Sequence, residues 1–115
     1  MGTIYDASIL IPMEILEDVC RIRHIPVDVI LKDCRYQDIC EARQSAMWLA
    51  RRLTTLSYPR IGYVFERDHS TVMHACRVID KKRANNRRLE MSLTSMEDSI
   101  RQALRERWQQ SSVLA

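Results

Sequence analysis

Between Arg67 and Lys82 the chain concentrates residue types that could carry chemistry: Asp68, His69, Ser70, Thr71, His74, Cys76, Arg77 and Lys81. Such a set suits two kinds of work. Asp, His and Cys together can bind zinc or move protons; hydroxyls, imidazoles and cations on one helix face can instead meet bases and phosphates. Spacing decides between them. His69 and His74 stand five residues apart, roughly 140° round a helix, so their rings diverge where an i, i+4 pair would converge. Cys76 falls among apolar positions. No metal site and no catalytic group is therefore expected, and the chain is read as a non-enzyme. Gly2 and Gly62 are the only glycines, too few for a phosphate-cradling loop of the Walker or Rossmann type, so no nucleotide cofactor is expected either.

On a helical wheel the segment from Asp68 to Ala84 separates cleanly. Val72, Ala75, Cys76 and Ile79 share one side, a core face. Ser70, His74, Arg77 and Lys81 take the other, with Thr71 and Met73 at its margins and His69 at its exposed start. An ordinary solvated face would need only charges, whereas a helix entering the major groove needs this mixture: small polar groups for base edges, an apolar tip for thymine methyls and cations for phosphates.

The elements that must position this face follow from periodicity and breakers. Helical spacing without strand-like alternation predicts an all-α bundle. A first helix is expected over Met13–Arg23, a short one over Pro26–Leu31, and a long one over Asp38–Leu56 with Ala42, Ala46, Leu49, Ala50, Leu53 and Leu56 inward. Ser57-Tyr58-Pro59 should break that helix and cap a short one ending at Phe65, proline suiting a first turn. After a tight Glu66-Arg67 turn, Asp68 is placed to cap the reading helix. A helix-turn-helix centred on Pro59 to Lys81 results. The last helix, Arg87–Trp108, repeats Leu89, Leu93, Met96, Ile100 and Ala103, a stripe for its own core or for a homodimer seam.

With 115 residues, 46% hydrophobic and 29% charged, the chain fits one folded domain. Residues 13–108 form the expected domain, 1–12 an N-terminal extension and 109–115 a C-terminal tail. No apolar run reaches the ~20 residues of a membrane span, and Ile9-Leu10-Ile11 meets Pro12. Without an export signal a cytoplasmic, nucleoid-associated place is expected. Its cysteines, Cys20, Cys34, Cys40 and Cys76, should then be reduced thiols, with Cys20 and Cys76 in the core.

The run Arg67-Asp68-His69-Ser70-Thr71-Val72-Met73-His74-Ala75, with Ile61-Gly62 and Phe65 before it and Ala42-Arg43-Gln44-Ser45-Ala46-Met47-Trp48-Leu49 upstream, resembles the DNA-binding C-terminal domain of the bacterial replication initiator DnaA. The resemblance covers about Met13 to Leu104. It implies a partner, double-stranded DNA, and a short asymmetric box of the TTATNCACA type. By position it implies that Asp68, His69, Ser70, Thr71 and Met73 meet bases in the major groove and that Arg35 enters the minor groove. Arg43, Pro59, Arg67, His74, Arg77 and Lys81 would lie along the phosphate backbone.

Two features depart from the family pattern. The turn before Arg67 is one residue shorter and carries Glu66 in place of a glycine pair, and Arg35 sits among Asp33, Asp38 and Glu41 in a loop that is usually densely basic. The chain has no room for the initiator's ATPase module, so a competitor for initiator boxes or a small transcription regulator, bacterial or phage, is the expected role. A protein-interaction module, using the basic run Arg77, Lys81, Lys82, Arg83, Arg87 and Arg88, is the rival reading.

Overall fold

Helix boundaries in this protein fall where the capping chemistry changes, and a computed structural model describes them over residues 7–32 and 35–114, with side chains over 11–32 and 35–107. Six helices follow in order: α1 Ala7–Arg23, α2 Val27–Leu31, α3 Gln37–Leu53, α4 Tyr58–Phe65, α5 His69–Asn85 and α6 Arg87–Leu114. The all-α expectation holds. Cys34 lies outside the described residues.

The differences from the expected boundaries have local causes. α1 starts at Ala7 and runs through Pro12, where a start at Met13 was expected. The proline ring is fully buried, so its packing outweighs the hydrogen bond that its missing N–H removes. α1 then ends at His24 in the left-handed region (φ 58), and Ile25 N–H reaches back to the Cys20 carbonyl at 3.0 Å. α3 begins one residue before Asp38, with Tyr36 as an N-cap that offers no side-chain bond. It stops at Leu53, because the Thr54 hydroxyl donates to the Ala50 carbonyl and accepts from Leu56 N–H. Leu53 and Leu56 are consequently only half-buried. Asn86 ends α5 and its Oδ1 takes the Leu89 N–H at 3.0 Å, starting α6.

One core joins all six helices. Ile15, Leu16 and Val19 of α1, Ile30 of α2, Ala42, Ala46, Leu49 and Ala50 of α3, and Ile61 and Phe65 of α4 meet Val72, Ala75 and Ile79 of α5. Cys20 and Cys76 are buried among them, as expected. Leu89, Leu93, Met96 and Ile100 are buried in that same core, so this stretch of the α6 stripe packs on its own domain. Ion pairs fasten the ends. Arg107 holds the buried Asp18 of α1 with both oxygens near 3.0 Å, and Glu97 takes Arg52 from α3 and Arg101 from its own helix. None of the helices among the described residues is long and apolar enough to cross a membrane.

Candidate nucleic-acid interface

The candidate interface is built from the α4–turn–α5 unit. Ser57 caps α4 by accepting the Arg60 N–H, and Pro59 occupies its first turn. At its other end Glu66 adopts φ 56 and ψ 42, the left-handed conformation that closes a helix and that glycine adopts most easily. This residue alone executes the tight turn. Arg67 N–H then returns to the Gly62 carbonyl at 2.9 Å. The turn lies so close on α4 that a side-chain carbon on Gly62 would collide with the Arg67 carbonyl oxygen. The absence of a side chain at position 62 thus sets how near α5 starts to α4.

Asp68 caps α5 as expected. Its carboxylate accepts the Ser70 backbone N–H at 3.2 Å and a short bond from the Ser70 hydroxyl, with His69 Nδ1 at 3.5 Å. The Ser70 hydroxyl, then the Ser70 N–H, hold the carboxyl below its ordinary value. The first turn of the reading helix is therefore a preformed network, in which Ser70 and Asp68 satisfy each other before any ligand arrives.

Val72, Ala75, Cys76 and Ile79 are buried, while His69, Ser70, Thr71, His74, Arg77 and Lys81 are exposed and Met73 is half-buried at the margin. The wheel separation expected from the sequence is thus realised. Trp48 of α3 anchors the far half of α5. Its Nε1 donates to Asp80 at 2.9 Å, and its ring carries the guanidinium groups of Arg52 and Arg83 at 4.9 and 4.8 Å. Arg83 is also hydrogen-bonded to both oxygens of Glu90, so it leaves the basic run in which the sequence placed it.

Arg35 is exposed in the connection between α2 and α3. Its two flanks approach the α4–α5 unit. At its first end the Lys32 carbonyl is met by Arg67, just before α5 begins. At its last end Gln37 and Glu41 line a shallow groove with Val78, Lys81, Lys82, Asn85 and Asn86 near the end of α5. Arg35 thus lies in sequence between two points, Lys32 and Gln37, that stand near the two ends of α5. Pro59 is exposed on α4, beside Ser57, Arg60 and Tyr63.

Arg43 departs from its expected place on the phosphate backbone. It is 9% exposed, and its Nε and Nη2 donate to the Ile30 and Lys32 carbonyls, both at 2.6 Å. The cause is the end of α2: its last carbonyls lack helical partners, and a planar fork from α3 supplies donors to two of them. Arg67 is similarly engaged, with Nη1 near the Phe65 and Glu66 carbonyls and Nη2 on Lys32 O at 3.1 Å. Sequence reasoning missed this cluster because carbonyl acceptors leave no trace in residue type. Exposed Asn85 was missed as well, though its place one turn on from Lys81 could have pointed to it; half-buried Lys82, read only as part of the basic run, lines the same groove.

A short capped helix, a three-residue turn and a longer helix with a free mixed face define a helix-turn-helix domain. A family model for the bacterial dnaA protein helix-turn-helix matches residues 12–79, and the chain belongs to that family. It is 35% identical over 101 residues to the chromosomal replication initiator protein DnaA of Leifsonia xyli subsp. xyli, covering 87% of this chain and 21% of the relative. It is 44% identical over 73 residues to the DnaA of Caulobacter sp. strain K31, covering 63% of this chain and 15% of that one. A crystal structure of a DNA replication initiation factor superposes with a TM-score of 0.75 at 29% identity, over 84% of this chain and 30% of that one. The matched part of the chain thus spans about a seventh to a fifth of the length of these curated relatives.

Proposed function

We propose that this domain binds double-stranded DNA sequence-specifically, on sites resembling the DnaA box, and acts in the cytoplasm on replication initiation or transcription. The observation that carries this reading is the free face of α5. His69, Thr71, His74, Arg77 and Lys81 stay exposed although the opposite side of the helix is fully committed to the core. Laid in the major groove, the first turn would bring His69, Thr71 and the Asp68–Ser70 pair to base edges and Met73 to thymine methyls. His74, Arg77 and Lys81 would follow the phosphates, with Pro59 seating α4 across the backbone. Arg35 would reach the adjacent minor groove.

The test is fluorescence anisotropy on a duplex carrying a TTATNCACA-type box and on a scrambled duplex, across a salt series. Log affinity should fall linearly with log salt, by roughly 0.9 per phosphate contacted. Thr71→Ala and His69→Ala should each cost about 1–3 kcal/mol on the box and little on the scrambled duplex. Lys81→Ala should weaken both alike. Salt-independent binding, or no preference for the box, rejects the proposal.

A further inference from the structure

The Lys32 carbonyl oxygen accepts two guanidinium groups, Arg43 Nη2 from α3 at 2.6 Å and Arg67 Nη2 from the α4–α5 turn at 3.1 Å. A carbonyl has two lone pairs, so both bonds can be full ones. Arg43 binds the Ile30 carbonyl at the same time, and Lys32 N–H closes back on Asp28. The end of α2 is thereby tied to α3 and to the turn that starts α5. Arg35 lies only three residues beyond Lys32, a reach of at most about 11 Å. Tyr36, the next residue, is itself fixed by the Cys40 N–H on its carbonyl at 2.9 Å.

From this geometry we infer that Arg43 and Arg67 are positioning residues, which set specificity by fixing the distance between Arg35 and the reading helix. The inference rests on the DNA reading proposed above, and it replaces phosphate contact as the role of Arg43. Neither arginine needs to touch DNA for this. A lysine in either place keeps the charge but loses the planar fork that joins two acceptors.

The experiment uses Arg43→Lys, Arg67→Lys, Arg35→Ala and the two corresponding double variants, with thermal melts to establish that each is folded. Box affinity should fall about tenfold in either lysine variant, with less than a twofold change on the scrambled duplex. In the Arg43→Lys background, Arg35→Ala should cost at least threefold less than it does in the wild type, because an Arg35 whose anchor at Lys32 is loosened has little left to lose. Amide exchange of Ile30 and Lys32 in the free protein should accelerate at least fivefold. Lysine variants that bind both duplexes like the wild type would overturn the inference, since a phosphate contact survives that substitution. Losses that simply multiply with Arg35→Ala would overturn it too. If Arg43→Lys does not fold, Arg67→Lys on the less buried side decides by the same measures. A wild type without box preference would reject the DNA reading itself, and the amide exchange would still decide whether the tether exists.

Discussion

Gly62→Ala separates two opposed effects of one methyl group. Position 62 is inside α4 and has no positive φ, so alanine should by propensity alone stabilise the helix by about 1 kcal/mol. The local packing argues the other way. The added carbon would fall well inside contact distance of the Arg67 carbonyl oxygen, a backbone atom. It cannot step aside cheaply, because Arg67 N–H is bonded to the Gly62 carbonyl and its guanidinium to Lys32. Overpacking of this kind costs about 1–3 kcal/mol, and against a pinned backbone the upper part of that range applies. A net loss of about 1–2 kcal/mol follows, a fall in Tm of roughly 4–8 °C for a domain of this size. The same displacement moves Asp68 and the first turn of α5, so box affinity should drop more than affinity for scrambled DNA. Circular dichroism melts and anisotropy measure the two effects. A rise in Tm would refute the reasoning, for it would mean that the turn can yield.

Three further outcomes follow from single residues. Glu66→Gly should raise stability by up to about 1 kcal/mol, since glycine relieves the left-handed backbone at a smaller entropic cost. It should also tighten DNA binding at low salt by removing a carboxylate from the turn, and unchanged affinity would place Glu66 away from phosphate. Burial pushes the Cys20 and Cys76 thiols to about 11, so at pH 8 their thiolate fractions are roughly a hundredfold below an ordinary thiol's; mass-resolved alkylation should leave both unmodified until the protein unfolds. Asp68 titrates below its ordinary value of 3.8 in the folded chain, so the stability that its charge contributes is present above that value and lost as pH falls through the native one. The advantage of wild type over Asp68→Asn in Tm should therefore shrink between pH 6 and pH 3, and a constant difference would deny the carboxylate its capping charge.

Much of this arrangement is legible from residue types and spacing. The α5 wheel, the Asp68 cap, the break at Ser57-Tyr58-Pro59 and the α3 stripe as far as Ala50 rest on local rules that tertiary packing did not override. What escaped notice depends on backbone atoms. Thr54 ends α3 through its own hydroxyl, and Pro12 lies inside α1 because the core buries its ring; neither choice follows from propensity. Glu66 in a glycine's conformation looks, in sequence, like a shortened turn, and only its φ shows that one residue does the work of a pair. The inward rotation of Arg43 was the hardest to foresee. A basic residue on a helix flanking a basic loop suggests phosphate, whereas the unpaired carbonyls at the end of α2 offered a nearer partner.

The same carbonyl cluster bears on how a weakly basic domain could bind DNA at all. A net charge of +3, with acidic residues on both sides of Arg35, leaves modest electrostatic attraction to gain from counterion release. On the DNA reading proposed above, specific affinity would then come more from geometry than from charge. Ordering free residues on binding costs about 1–2 kcal/mol per residue in backbone entropy, and Lys32 and Tyr36, on either side of Arg35, are already held in the free domain. An arginine presented between them can contribute to a complex even with carboxylates nearby, provided its distance from α5 is right. Buried Arg43 and the turn residue Arg67 would thus compensate, by fixing that distance, for cations that the loop itself lacks.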